Sequence, residues 1–126
     1  MEKMERIRFI SRSGARILLH DFSGCDTEAL LAALEGAAAL ISAEPEGSHL
    51  VLVDATGLQF DMRMVGAAKE YVENGKRYVK AIAIVGLTGL QETMMTYAAA
   101  SAKGGIGVFR TISEAEVWLL AKTEVA

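Results

Sequence analysis

The side chains with which this 126-residue chain could do chemistry are few: two histidines, one cysteine, and serines, threonines and aspartates gathered around glycines. His20, Asp21 and Ser23 stand close together and invite a hydrolase reading. On a strand, residues two apart share a face, so His20 aligns with Phe22 while Asp21 points away. Ser23 is not in a Gly-x-Ser-x-Gly elbow. His49, the other imidazole, opens a separate apolar run and belongs at the opposite end of a sheet. A nucleophile, a base and an orienting group do not assemble from this set, and no catalytic residue is assigned. Cys25 precedes a helical pattern, where the helix dipole can lower a thiol's pKa, but no histidine or second cysteine accompanies it. A lone cysteine excludes an intrachain disulfide and a multi-cysteine zinc site. The scattered histidines have no metal-ligand spacing, Asp54 and Asp61 are explained as caps, and no metal is expected.

Three glycine-containing turns remain: His20-Asp21-Phe22-Ser23-Gly24, Asp54-Ala55-Thr56-Gly57 and Gly86-Leu87-Thr88-Gly89. Each leads into a helical pattern, whose first amides are unpaired donors. Gly86-Leu87-Thr88-Gly89 lacks the GxxxxGK[ST] spacing of a phosphate loop, and no GxGxxG follows the first crossover strand. No cofactor is expected. Turn and cap chemistry accounts for most of these residues.

The elements that would position these turns follow from periodicity. Residues 5–12 alternate charged and apolar side chains, and residues 15–21 follow after Arg12-Ser13-Gly14; this predicts a hairpin. Leu30, Leu31, Leu34, Ala37, Ala38 and Ile41 recur at helical spacing behind Asp26, a natural N-cap, and Pro45 and Gly47 stop the helix. Residues 50–53 are apolar on both faces, as in strands covered by helices on both sides. A second helix starts at Asp61, with Val65, Ala68, Tyr71 and Val72 as its buried stripe, and ends at Asn74-Gly75. Residues 81–85 form another fully apolar strand. Thr88 and Gln91 then suggest a capping box for a third helix that closes at Gly104-Gly105. A short strand near 106–110 and a helix capped by Ser113 and Glu116, with Trp118 and Leu119 buried, finish the chain. The expected fold class is α/β: a mainly parallel mixed sheet of about five strands, an N-terminal antiparallel hairpin and four helices, forming one domain over residues 1–126.

Composition narrows the function class. Hydrophobic residues make up 52% and charged residues 23%, enough for a packed core with a solvated cover. The net charge of −3 offers no general attraction for a polyanion, so nucleic acid is not expected as a partner; Lys76, Arg77 and Lys80 read as a solvated turn. No apolar run approaches the ~18 residues of a membrane span, so no stable membrane insertion is expected. The opening MEKMERIRF lacks a signal peptide's apolar stretch, and a cytoplasmic location is the expectation.

The hairpin, the strand ending in VDATGLQFD and the AIAIVG strand leading to a helix together resemble the anti-sigma-factor antagonists, the STAS or SpoIIAA-like domains. Asp54-Ala55-Thr56-Gly57 resembles the family's Asp-x-Ser-Gly stretch, and Asp61 resembles the aspartate of its second motif, Asp-Ser-Ser-Gly. Here Met62-Arg63-Met64 follows Asp61, so the usual phosphoacceptor serine is absent and Thr56 is the nearby hydroxyl that could be phosphorylated. Tyr78-Val79-Lys80 and Val85-Gly86-Leu87-Thr88-Gly89-Leu90 are similar to a subgroup of small stand-alone bacterial proteins related in architecture to CRAL-TRIO lipid carriers.

The resemblance implies a non-enzymatic module that binds a protein partner through Asp54, Thr56, Gly57, Asp61, Met62, Arg63, Met64, Gly86, Thr88 and Gly89, with Met62 and Met64 supplying apolar contact and Arg63 a directional charge. The alternative is a carrier of a lipid or other small apolar ligand, its cavity lined by the methionines, including Met94 and Met95, and by Ala98, Ala99 and Ala100. Self-association as a homodimer is a further expectation.

Overall fold

The computed structural model describes residues 6–43, 45–47, 49–59, 61–75, 77–87, 89 and 106–122. The chain opens with a hairpin of β1 (Ile7–Arg12) and β2 (Ala15–Asp21), paired antiparallel from Ile7 opposite His20 to Arg12 opposite Ala15. Its two-residue turn places Ser13 at φ 51° and Gly14 at φ 81°. Two consecutive positive φ angles give the turn a twist that matches the strands it joins.

Helix α1 (Thr27–Ser42) follows, then β3 (His49–Asp54), α2 (Met62–Gly75), β4 (Val79–Val85), β5 (Ile106–Phe109) and α3 (Ile112–Lys122). The strands form one sheet in the order β1-β2-β3-β4-β5, parallel at every pairing except the hairpin. This is the expected mixed α/β architecture. The helix expected over 88–105, with its Thr88 and Gln91 cap, lies outside the described residues except for Gly89.

Alternation along the central strands feeds two cores. Ile17, Leu19, Leu50, Leu52, Ala81, Ala83 and Val85 pack on one face beneath Ala115 and Leu119 of α3. Val51, Ile82 and Ile84 face the other way with Ala55. Leu30 and Leu34 of α1 meet Phe22, Cys25 and Met64 in an adjoining cluster. Buried Leu30, Leu34, Ala37 and Ile41 give α1 an apolar stripe.

The helix caps decide where the chain turns. Asp26 accepts a bond from the Ala29 amide at 2.9 Å and starts α1 as expected. The cap of α3 differs from the sequence expectation. Thr111, not Ser113, accepts from the Glu114 amide at 3.1 Å, and Glu114 reaches back to the Arg110 amide at 3.3 Å. Both Thr111-x-x-Glu114 and Ser113-x-x-Glu116 fit a capping box. The end of β5 at Phe109 selects the first, because the helix must begin immediately beyond it.

Candidate functional site

In open α/β sheets ligands and partners gather at the carboxyl ends of the parallel strands. Here those ends are joined into one platform by backbone hydrogen bonds running between neighbouring connections. Phe22 N donates to Asp54 O at 2.9 Å, Gly24 N to Thr56 O at 2.9 Å, Gln59 N to Cys25 O at 3.0 Å and Ala55 N to Val85 O at 2.8 Å. Side chains pin each turn internally. Asp21 Oδ1 accepts from the Ser23 amide and hydroxyl at 3.1 and 2.6 Å, and Asp54 Oδ1 accepts from the Thr56 amide at 3.1 Å. These are local Asx turns. Arg6 adds bonds from Nη1 to the carbonyls of Asp21 and Ser23 at 3.0 and 3.3 Å.

Asp61 does two jobs at once. Its Oδ1 accepts from the Met64 amide at 2.9 Å, capping α2, and its Oδ2 accepts from the Thr27 hydroxyl at 2.5 Å. Thr27 is the first residue of α1, so one carboxylate ties together the starts of both helices. The Thr27 bond, then the Met64 amide, hold the Asp61 carboxyl below its ordinary pKa; burial opposes them, and Arg63 adds a lesser depression. Asp61→Ala is expected to lower the melting temperature by roughly 5 °C, with Asp61→Asn recovering most of the loss because Asn also caps. Thermal melting of the two variants side by side checks this.

The residues expected to bind a partner separate into distinct environments. Thr56, Gly57, Asp61, Met62 and Arg63 are exposed around the start of α2. Met62 is 77% exposed. Arg63 Nη1 lies 3.2 Å from Glu28 Oε2, both side chains being exposed. Such a pair contributes at most about 1 kcal/mol and is free to exchange for another partner. Met64 corrects the sequence expectation: it is 1% exposed and packs with Phe22, Cys25, Leu30 and Leu34. Two residues along a helix turn the side chain by about 200°, which puts Met62 in solvent and Met64 in the core. Gly86 sits at φ 94° under Thr56, and Gly89 at φ 49° is exposed. Thr88, Met94, Met95 and the 98–100 alanines lie outside the described residues.

Both side chains that suggested catalysis are buried. The Cys25 residue is 1% exposed, and burial raises its thiol pKa; Arg6 pulls the other way, while Asp21 and Asp26 add to the rise. His20 is 1% exposed, its Nε2 is 2.7 Å from the Tyr71 hydroxyl, and its ring meets Phe22 edge-on. Burial pushes the imidazole down to about 4; the Leu18 carbonyl opposes this and His49 reinforces it. His49 lies at the far end of the sheet, stacked on Phe9 and hydrogen-bonded through Nε2 to Ile41 O at 3.2 Å. Among the described residues no group of three or more His, Cys, Asp or Glu could hold a metal, and no helix is long and apolar enough to cross a membrane.

A second feature lies beneath the platform. A cavity of about 80 Å³ runs between the sheet and the inner faces of α1 and α2, with His20, Tyr71, Met64, Ile84, Leu87 and Ile106 among its lining residues. Sequence reading placed Tyr71 on the buried stripe of α2 but did not connect it with His20, 51 positions away. The available signal was the polar tip on a buried stripe, which calls for a hydrogen-bond partner.

Comparison with solved structures bears on the whole arrangement. An uncharacterised protein of the DUF3478 family from Shewanella loihica PV-4, described as having a SpoIIAA-like fold, superposes with a TM-score of 0.73 over 90% of this chain and 91% of that one. The chain has a SpoIIAA-like fold. The likeness is one of architecture, at 18% sequence identity. No protein-family model matches the chain, and no curated protein sequence matches it. On this SpoIIAA-like frame, Asp54 holds the Thr56 turn and Asp61 caps α2. Asp61 is followed by an exposed methionine and arginine in place of a hydroxyl.

Proposed function

We propose that this chain is a non-enzymatic regulatory module of the antagonist type that docks a protein partner on the platform formed by Asp54, Thr56, Gly57 and the start of α2. The observation that carries the reading is Met62: a large apolar side chain, 77% exposed, at the first residue of α2, whose start Asp61 ties to Thr27 of α1. A rigid platform loses little conformational entropy on association, so contact at Met62 converts efficiently into affinity. Arg63 beside it supplies a charge that a partner carboxylate can take over from Glu28. The buried state of His20 and Cys25 supports a role without catalysis. The carrier reading is less well served: pockets for drug-sized ligands run to ~300–1,000 Å³, against about 80 Å³ here.

The test is a photo-crosslinking amino acid at Arg63, introduced into the protein in its native host. One discrete adduct is expected. Met62→Asp is expected to reduce its yield at least tenfold while shifting the melting temperature by no more than about 2 °C, since the substituted side chain leaves no core contact. Absence of an adduct, or an adduct equally strong in Met62→Asp, would overturn the reading.

A further inference from the structure

We propose that Met62 is a site of reversible oxidation by hydrogen peroxide, and that its sulfoxide releases the protein partner from the platform. The release step rests on the docking reading; the oxidation itself does not.

The chain holds its oxidisable sulfurs in opposite states. Met62 is 77% exposed at the first residue of α2. Met64, two positions on, is 1% exposed among Phe22, Cys25, Leu30 and Leu34. Cys25, the one cysteine of the sequence, is 1% exposed, and burial raises its thiol pKa. Peroxide attacks a thiol through its thiolate, so a buried thiol that keeps its proton reacts slowly. A thioether has no proton to lose, and exposure governs its rate. Among the described residues, Met62 is therefore the sulfur that peroxide reaches first.

In the reaction, a sulfur lone pair attacks one oxygen of hydrogen peroxide. An S–O bond forms and the O–O bond breaks. The hydrogen on the transferred oxygen passes to the departing hydroxide, giving the sulfoxide and one water. Sulfur gives up two electrons and the peroxide takes them. A sulfoxide reductase supplied with two thiols returns the thioether; the oxygen leaves as water and the thiols join as a disulfide.

Position decides what the added oxygen does. Met62 belongs to none of the buried clusters, so its sulfoxide leaves their packing as it is. Asp61 still accepts from the Met64 amide and the Thr27 hydroxyl, and the start of α2 stays in place. The docking surface is what changes. A flexible apolar side chain becomes polar, and its S–O group must shed water before a partner can close over it.

Two measurements separate the modification from its effect. In the first, the purified full chain is treated with hydrogen peroxide, and the gain of one oxygen is followed by mass spectrometry of tryptic peptides. Cleavage after Arg63 puts Met62 and Met64 on different peptides. Met62 is expected to oxidise at least about tenfold faster than Met64. Full conversion of Met62 is expected to shift the melting temperature by no more than about 2 °C. In the second, the native host carrying the photo-crosslinking amino acid at Arg63 is exposed briefly to peroxide before illumination. The adduct is expected to fall at least about fivefold and to recover once the peroxide is removed. Met62→Leu, which has no sulfur at this position, is expected to make the yield independent of peroxide. An unmodified Met62, or equal rates at Met62 and Met64, would overturn the modification site. An adduct that survives conversion of Met62, that does not recover, or that peroxide removes equally from Met62→Leu would overturn the reversible release. No adduct before treatment would overturn the docking reading and the release with it, while the peptide masses still decide the site.

Discussion

Gly86→Ala is expected to cost about 3 kcal/mol and to lower the melting temperature by roughly 10 °C. Gly86 lies where β4 leaves the sheet, at φ 94°. A Cβ built there falls 2.5 Å from Thr56 Oγ1, 2.6 Å from Thr56 N and 2.8 Å from Thr56 Cα. The hydroxyl can rotate away, but the backbone atoms belong to a turn fixed by the bonds of Ala55 to Val85 and of Gly24 to Thr56. Two penalties therefore combine: a backbone conformation that L side chains avoid, and a displacement of the Thr56 turn. Gly14→Ala separates them. Gly14 has φ 81° with no atom within 4 Å of the added carbon, so its variant reports the conformational penalty alone, about 1 kcal/mol. Chemical denaturation of both variants gives the difference that belongs to the close approach. Equal losses would mean that contact with Thr56 is unimportant. Because the displaced turn forms part of the platform, Gly86→Ala should also weaken partner crosslinking more than its stability loss explains.

The second large effect is a fall in stability on acidification from pH 7 to pH 4, amounting to about 3 kcal/mol from His20. The unfolded imidazole takes up its proton near 6.5, whereas the folded one does so at about 4. Between these values the unfolded chain binds the extra proton, so stability drops with falling pH by up to ~1.4 kcal/mol per unit. Above 6.5 both states are neutral and the effect vanishes. Below 4 both are charged and the loss is complete. Tyr71 stays protonated through the whole window, since burial raises its pKa. Asp61 acts lower down: its folded pKa is depressed, so its contribution is lost as pH falls below its ordinary value of 3.8. Urea unfolding at pH 7.0, 5.5 and 4.5 should show the slope. It should flatten in the double variant His20→Phe, Tyr71→Phe, in which neither polar group is left without its mate. A slope unchanged in the double variant would place the titration elsewhere.

The parts of this fold that were legible in the sequence were those set by local chemistry. Both faces of residues 50–53 and 81–85 are apolar, as in strands covered by helices on both sides; Ala115 and Leu119 of α3 pack on the face that holds Leu52, and Leu30 and Leu34 of α1 and Met64 of α2 form the cluster against which Val53 packs on the other. Asp26 and Asp61 announced helix starts because a carboxylate before an apolar period has little else to do. Position overrules the expectation that Met62 and Met64 both face a partner. A turn of about 200° between them already separates their faces. The α3 cap was misassigned because two overlapping patterns fit equally, and only the end of the preceding strand chooses. His20 with Tyr71 and Thr27 with Asp61 join residues 51 and 34 positions apart. No local rule connects them, since each meeting is made by the packing of separate elements.

The bonds that run from one strand-end connection to the next have a consequence for how the chain tolerates change in length. Phe22, Gly24, Ala55 and Gln59 each donate to a neighbouring strand end or connection. An inserted residue there would put several amides out of step at once, much as a slipped stitch disturbs the neighbouring rows. The Ser13-Gly14 tip carries no such obligation at Gly14, around which space is open. Variation in chain length should therefore accumulate at the hairpin tip, while the opposite end keeps a fixed count of residues.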